Sequence, residues 1–497
     1  MNSTKKTNVS RRITLMEIIT LFNTLLEEIF LAEQNFFENM KDMYQFEEAM
    51  KEASNKFATG FMGMVLSSID SQLRNDGWRK EHYNIQRKDE RTLISSVGEI
   101  KFDCTLFKNK STGEHSFLLE KLINLNKRER FTESAEVAVL SEAIKSSYSN
   151  AASVIPTESP ITKTTVMNMV HKYAMEYPDN KKDQELKQHR FLYVEADEDH
   201  VSEQHGRWSP KEENKGFLSR VAYVYEYKRE VPNCKGRKEL VNKVYFSGLY
   251  PGSKGVKQFW EKVWHFVEET YDTEYLEKIY LSGDGASWIK SGLSYLDKAV
   301  FCIDKFHLMK YINAATNPLK EKTEEAKGQI YRMLYEHRKK DLMEYLNLLA
   351  DSIENEKPVL DLQSFVSNNW ESIMRSLHDK NVEGCSAEGH VNHLLSERLS
   401  TKALAWSQEG ADAISRLRAY VQNNGEERII ELVNYRREKA CMKKTGTDNM
   451  EPVVLSAAKV MNDHYKQARS YVDRIQATIG GPTVRKIISI RNRLREM

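Results

Sequence analysis

Tyr280-Leu281-Ser282-Gly283-Asp284-Gly285-Ala286 is the stretch on which the reading of this chain turns. A short run of β-branched and aromatic residues (Ile279, Tyr280, Leu281) climbs into a Gly-Asp-Gly turn, and a helical pattern follows from Ala286. Such a turn sets a carboxylate at the C-terminal end of a strand, where α/β sheets gather their ligand chemistry. An aspartate in that place also serves as a helix N-cap. The acids elsewhere in the chain decide between the two.

Upstream, Phe191 to Val201 (FLYVEADEDHV), Phe217 to Lys228 and Leu240 to Tyr250 are strand candidates. Helical spacing follows at Val256, Phe259, Trp260, Val263, Trp264 and Val267. After the strand that ends at Asp284 come a short helix over Ala286 to Leu296 and a last strand over Ala299 to Ile303. The order is three strands, helix, strand, helix, strand. The first strand ends in Glu195, Asp197 and Asp199, and strand alternation keeps Asp197 and Asp199 on one face. Should this strand lie beside the fourth, its acids meet Asp284. Paired carboxylates at adjacent strand ends suit hard divalent cations, and two such ions can activate an attacking oxygen and stabilise a leaving one at a phosphodiester. The competing reading is a solvated strand end.

A third acid would separate those readings, and it belongs on a later helix. From Phe306 to Lys380 apolar residues recur by threes and fours (Leu308, Ile312, Ile330, Met333, Leu334, Leu342), which predicts an all-helical insertion. A further helix begins near Gly384 to His393 and runs through Leu399, with Glu388 at its start and Glu397 further along.

The N-terminal half shows no chemistry of this kind. Ile13 to Ala58 carries Leu15, Ile18, Ile19, Phe22, Leu25, Leu26, Ile29 and Phe30 at helical spacing, which predicts helices with a wide buried stripe. Ile100, Phe102, Cys104 and Leu106 alternate with polar residues before Ser111-Thr112-Gly113, predicting a small β-hairpin. Ser134 to Ser146 and Tyr148 to Ile155 read as helices, and Ser159-Pro160 as the N-cap and first turn of a third that ends near Tyr173. Val166, Met169, Val170 and Tyr173 would face inward, and Thr162, Lys163, Thr164, Asn168 and Lys172 outward. Three helices with a polar, partly basic outer face make either a helix-turn-helix for a DNA major groove or a plain three-helix bundle.

Composition limits the rest. The 497 residues carry 74 Lys+Arg against 72 Asp+Glu, so any basic surface has to be local. Five scattered cysteines without a Cys-x-x-Cys argue against a disulfide framework and a zinc ribbon, and fit a reducing cytoplasm. No apolar run approaches the roughly 20 residues of a membrane span, and no signal peptide opens the chain, so a soluble, unexported protein is expected. Cys385 with His390 and His393, or Cys302 with His307, falls short of the four local ligands of a structural zinc site. Trp260, Trp264 and Trp288 read as core. Bases cluster at Arg436, Arg437, Lys439, Lys443 and Lys444, and again at Arg485, Lys486, Arg491, Arg493 and Arg495. They are either phosphate contacts or solvated helix faces.

Four segments together resemble a known family: Glu195-Ala196-Asp197-Glu198-Asp199-His200-Val201, Ser282-Gly283-Asp284-Gly285-Ala286, Asp304-Lys305-Phe306-His307, and Ala387-Glu388-Gly389-His390-Val391 with Arg398 and Trp406-Ser407 downstream. The chain resembles DDE-type transposases of bacterial insertion sequences, most specifically the ISLre-two family, related to the Mutator and hAT transposases. The resemblance implies an α+β multidomain protein with a ribonuclease-H-like α/β core, the first strand central beside the fourth, and an all-α insertion. Helical, small β-hairpin and helix-turn-helix-like modules precede it. The expected boundaries are 1–90 (helical), 91–128 (β module), 129–179 (DNA-binding helices), 188–310 and 381–425 (core), 311–380 (insertion) and 426–497 (basic helical end).

Carried over, Asp197, Asp284 and Glu388 would be the catalytic triad holding two Mg²⁺ or Mn²⁺ ions, with Asp199 the rival of Asp197. Asp304 and His307 would support the site. His307 also reads as a core histidine making one hydrogen bond. Trp406 would be free to stack on a flipped base. Double-stranded DNA, at transposon ends and target, would be the partner of a homodimer or larger assembly in the cytoplasm, at the nucleoid. A nuclease of the same fold that joins no strands, or a non-catalytic DNA-binding regulator, are the alternatives.

Overall fold

A computed structural model describes residues 15–126, 128–174, 177, 185–204, 216–234, 236–401 and 404–442. These described residues fall into two compact units, one of those up to 138 with 153–160 and 434–442, the other of those in 139–152 and 161–433. The division runs through the expected 129–179 module. Among the described residues no helix is long and apolar enough to cross a membrane.

The first unit begins with α1 (Leu15–Glu38), α2 (Met43–Asn75) and α3 (Gly77–His82). An antiparallel sheet of β1 (Tyr83–Ser95), β2 (Gly98–Asn109) and β3 (His115–Phe117) follows, then α4 (Leu118–Leu122). Tyr83, Ile100, Phe102, Cys104, Phe107, Leu118 and Leu119 form its core. Buried Asp70 of α2 fastens helix to sheet by accepting from the Thr105 N–H (2.8 Å) and hydroxyl (2.7 Å). Two expectations change here. The hairpin gains β1, whose residues from Asn84 to Arg87 are exposed and carry no alternation to read. The stripe of α1 is helical but not buried: Ile18, Leu25 and Ile29 are half-buried, whereas Phe22 is 50% and Phe30 62% exposed. An apolar period reports helix, and burial depends on what the rest of the chain can lay over it.

In the second unit, after α5 (Glu133–Lys145, which crosses between the units), come α6 (Tyr148–Ala152) and α7 (Lys163–Tyr173). The helix starts later than expected. Thr162, not Ser159, is its N-cap, accepting from the Thr165 N–H (3.1 Å), and Pro160 lies outside it. Val166, Met169, Val170 and Tyr173 are buried as the period predicts.

Strands β4 (Phe191–Ser202), β5 (Gly216–Tyr225), β6 (Tyr227–Glu230), β7 (Lys238–Val241), β8 (Val244–Gly248), β9 (Lys278–Gly283) and β10 (Ala299–Ile303) then build two sheets. The larger has the order β10-β9-β4-β5-β8, so its first strand is central and its fourth lies beside it. β9 runs parallel to β4 and to β10, while β5 runs antiparallel to β4 and to β8. β6 and β7 pair by themselves as a two-stranded ribbon. This corrects the two long strands expected over 217–228 and 240–250, since the first breaks at Glu226 near its end and the second at Asn242 and Lys243 near its start. Asn242 adopts a left-handed φ of 52°. Its amide donates to buried Glu226 (2.7 Å), which also accepts from Lys187 (2.9 Å). With the Tyr271 hydroxyl donating as well (3.3 Å), a buried carboxylate satisfied by three donors fixes the corner at which the ribbon leaves the sheet.

α8 (Gly252–Thr270) connects β8 to β9, and α9 (Ser287–Lys290) with a 3₁₀ turn connects β9 to β10. α8 buries Phe259, Trp260, Val263 and Val267 against Leu192, Val194 and Ala196 of β4 and Ile279 and Leu281 of β9. Each such side chain contributes on the order of 1.5–3 kcal/mol over exposure. The predicted insertion is α10 (Lys305–Thr316), α11 (Thr323–Tyr335), α12 (Lys339–Asp351) and α13 (Lys357–His378). Leu308, Ile312, Leu342, Leu362, Val366 and Ile373 belong to the same core as the sheet. α14 (Ala387–Val391), a π-helical turn over Asn392–Ser396, α15 (Glu397–Leu399), α16 (Gln408–Asn424) and α17 (Ile429–Met442) follow. Lys443, Lys444 and the bases from Arg485 to Arg495 lie outside the described residues.

Candidate active site

The site is built by how β4 and β9 run side by side. Their register sets Phe191 opposite Lys278 and Glu195 opposite Ser282. At the next step Gly283 comes so close that a Cβ there would lie 2.9 Å from the Ala196 carbonyl oxygen. Glycine thus lets the strands continue in contact, and Asp284 emerges beside Asp197. Gly285 makes the turn with a φ of 99°, a conformation that favours glycine. Asp284 Oδ1 accepts from the Ala286 N–H (2.8 Å), an Asx turn. The N-cap of α9 is Ala286.

Asp197 is half-buried, and its Oδ1 accepts from the Glu198 N–H (2.8 Å). Burial pushes its carboxyl up to about 6; the charge of Asp284 adds to the rise, against the Glu198 N–H and His307. Glu198 projects to the other face of β4, yet burial and then the Asp284 charge raise its pKa too, and its Oε2 is buried without a hydrogen bond.

β10 brings the next pair. The Asp304 N–H donates to the Gly283 carbonyl (2.8 Å), tying the two strand ends together. Buried Asp304 caps α10 by accepting from the Phe306 N–H (2.9 Å), and its second oxygen pairs with His307 Nδ1 at 3.0 Å. That bond raises the pKa of His307 against burial, with Asp304, Asp197 and Asp284 adding their charges. Asp197, Asp284, Asp304 and His307 are therefore one electrostatic cluster.

Two residues before Asp197, Glu195 meets a different environment. It is 1% exposed, and its oxygens accept from Tyr225 (2.7 Å), Tyr223, and the Ser386 N–H (2.6 Å) and hydroxyl (3.1 Å), with Lys228 Nζ at 3.1 Å. Burial alone would raise its pKa; the Lys228 ammonium and these donors outweigh it and hold the carboxyl below the usual range. Other tyrosines of the sheet fasten the segment from α13 to α14 in the same way. Tyr280 donates to Asp379 (3.0 Å) and Tyr193 to the Asn381 carbonyl (2.8 Å), and the Tyr245 hydroxyl is hydrogen-bonded with His390 Nδ1. Glu195 as the centre of this array was missed from sequence. The signal available was the tyrosines at alternate positions 223 and 225.

This array delivers α14. Glu388 lies exposed in its first turn, two residues after Ser386. Further along the same stretch, the Ser400 hydroxyl donates to Asp199 (3.0 Å), which is buried at 9% exposure. Burial raises the pKa of Asp199, against hydrogen bonds from Ser400 and Ser396 and the charge of His200, and Asp284 is not among these influences. Among the described residues no three His, Cys, Asp or Glu side chains stand close enough to hold an ion jointly. Asp197 and Asp284, an oxygen-only pair whose like charges repel, fit one hard divalent cation; Glu388 stands apart from them.

The remaining expected residues are accounted for as follows. Thr162, Lys163, Thr164 and Asn168 are exposed on α7, while Lys172 is half-buried with Nζ 4.8 Å from the Tyr173 ring centre. Trp406 is not free to stack on a base: it is buried, with the Arg398 guanidinium 4.6 Å above its ring and Tyr148 edge-on at 5.9 Å. Arg437 is not free for phosphate, being buried and paired with Glu136 (2.8 Å) and Glu133 (2.6 Å). Burial, seconded by Lys243, lowers the pKa of His390 to about 4, and His393 pairs with Glu397 (2.9 Å).

A family model described as "Uncharacterised protein family (UPF0236)" matches residues 36–436. A UPF0236 protein of Caldanaerobacter subterraneus subsp. tengcongensis is 31% identical over 385 residues, covering 77% of this chain and 78% of that protein. A second from the same organism, whose name joins eleven locus designations, is 30% identical over 423 residues, covering 84% and 86%. A solved structure, "Drosophila P element transposase strand transfer complex", matches at 11% identity and a TM-score of 0.21, over 64% of this chain and 93% of that one. A likeness so slight carries no argument.

Proposed function

We propose, for a chain that belongs to the UPF0236 family, that it is a DDE-type transposase with a ribonuclease-H-like core. It would bind the terminal inverted repeats of an insertion sequence, nick their ends and join the freed 3′-hydroxyl to target DNA. The observation that carries the reading is the meeting of Asp197 and Asp284 at adjacent strand ends, with the Asp197 carboxyl pushed up to about 6. A carboxylate pair disfavoured in this way is eased by a cation, and perturbed acids in such positions mark reactive sites. The strand order supports it, as does the relative whose name joins eleven locus designations of one genome, the trace a self-copying gene would leave.

In this reading Asp197 and Asp284 hold one ion between them, and Glu388, exposed on α14, is the acid proposed for a second. Magnesium, when bound, supplies the polarisation of phosphoryl oxygens and the activated water or 3′-hydroxyl. His307, oriented by Asp304, has its pKa raised beside the two aspartates, and a proton held there would limit their repulsion. Thr162, Lys163, Thr164, Asn168 and Lys172 of α7 would contact the repeats.

The test uses a labelled duplex carrying the inverted repeat that flanks the gene, incubated with Mg²⁺. Nicking at the repeat end and transfer of the 3′-hydroxyl to a second duplex are expected, with both lost in Asp284→Ala while end binding persists. Transfer by the Asp284→Ala protein would refute the assignment. Nicking without transfer would leave a nuclease, and metal-independent binding without cleavage a regulator.

A further inference from the structure

Beside the tyrosine array the second unit holds a groove of about 850 Å³, between the β6–β7 ribbon and the 383–386 segment, with His390 at its wall. Its charges do not balance. Lys228 is paired with Glu195 (3.1 Å), Lys238 with Glu383 (3.5 Å), and Glu239 with Arg229. Among the described residues Arg237 and Lys243 have no carboxylate partner, though both line the groove. Arg237 is exposed; Lys243 is half-buried, its Nζ 5.0 Å from the Tyr245 ring centre. Burial holds the pKa of Lys243 down, as expected of an ammonium that has lost water and gained no counter-ion.

A concave, partly desolvated surface with uncompensated cations is built for an anion, and a guanidinium's planar fork suits phosphate oxygens. The position narrows the anion further. The groove floor includes Cys385 and Ser386, directly before α14, and Ser386 is bonded to Glu195, two residues from Asp197 on the same face. We infer that this groove seats the sugar-phosphate backbone of a DNA strand outside the metal site, with Arg237 and Lys243 each taking a phosphate. The inference rests on the transposase reading and adds to it a surface distinct from α7, from the two aspartates and from Glu388.

The test is fluorescence anisotropy of the full-length protein with fluorescein-labelled 30-base DNA, duplex and single-stranded, from 50 to 300 mM KCl without divalent metal. Arg237→Gln, Lys243→Met and the double variant are compared with Lys340→Ala, which removes an exposed lysine of the helical insertion. Met keeps the stem of residue 243 against Tyr245, and Arg237 is exposed, so unchanged melting curves are expected. The double variant should lower the slope of log K against log salt by about 1.8 on duplex or about 1.4 on single strand, each single variant by half. Affinity should fall by the same factor for unrelated sequences, with Lys340→Ala unchanged. A double variant that binds like the wild type overturns the groove and leaves the transposase reading intact. A wild type that neither binds nor cuts DNA overturns that reading, and the groove with it.

Discussion

Glu195 and Asp197 are two residues apart on one face of one strand, and the fold treats them in opposite ways. Glu195 is enclosed by Tyr223, Tyr225, Ser386 and Lys228, and its charge is held in place. Asp197 is half-buried, receives one backbone hydrogen bond and faces a second carboxylate, so its charge is disfavoured. The first region is satisfied by its own donors, whereas the second sets two like charges side by side, a pair that a cation would ease. What separates structure from chemistry here is the company each acid keeps, since residue type and strand position are almost the same. The stabilised acid anchors α14, and the strained acid is the one with work to do.

The comparison can be broken most sharply by activity. Asp197→Asn and Asp284→Asn should each lower Mg²⁺-dependent end cleavage by on the order of 10³-fold or more, while Glu195→Gln, if folded, should retain measurable cleavage. Equal loss in all three, measured on protein with native circular dichroism, would erase the distinction. Next in size is stability. Glu195→Ala leaves Lys228 without its buried partner and should cost about 3–5 kcal/mol in urea unfolding, whereas a cost under about 1 kcal/mol would mean the enclosure is incidental.

The opposite sign is expected at Asp197. Its folded-state pKa, about 6, lies above its ordinary 3.8, so the folded protein is penalised at pH above 6. That penalty fades as pH falls through 6 and is gone below about 4. In EDTA, Asp197→Asn should therefore be about 1–2 kcal/mol more stable than the wild type at pH 7.5, and no more stable at pH 4. A variant less stable at both values would contradict the strained-acid account. The smallest effect is at Asp304→Asn, which removes the partner of His307. Its raised pKa gives stability below the unfolded value of about 6.5 that is lost as pH rises. The variant should be about 0.5–1.5 kcal/mol less stable at pH 6, with a smaller deficit at pH 8.5 in thermal melts.

Local features were legible in the sequence. Short apolar, β-branched and aromatic runs marked β4 and β9 to within a residue or two, and the 3.6-residue period marked α8 and the insertion helices. What escaped depends on partners far along the chain. The breaks at Glu226 and Asn242 follow from one buried carboxylate gathering donors from Lys187 and Asn242. The enclosure of Glu195 is assembled from residues at 223, 225, 228 and 386, and Asp199 is held by Ser400. Trp406 and Arg437 looked available because nothing nearby in sequence shows Arg398 over the one or Glu136 beside the other. The exposed face of α1 carries the same lesson in reverse, since a helical stripe says nothing of what covers it.

The central claim is that Asp197 and Asp284 hold one cation between them, with Glu388 the acid proposed for a second. Replacing Mg²⁺ by Fe²⁺ and generating hydroxyl radicals with ascorbate and peroxide cuts a protein chain beside its bound metal, and the fragments can be mapped by mass spectrometry. Cuts near Asp197, Asp284 and Glu388 together, suppressed by excess Mg²⁺ and absent in Asp197→Asn, are the result expected. Cuts elsewhere, or cuts at these places that survive the substitution, would contradict it.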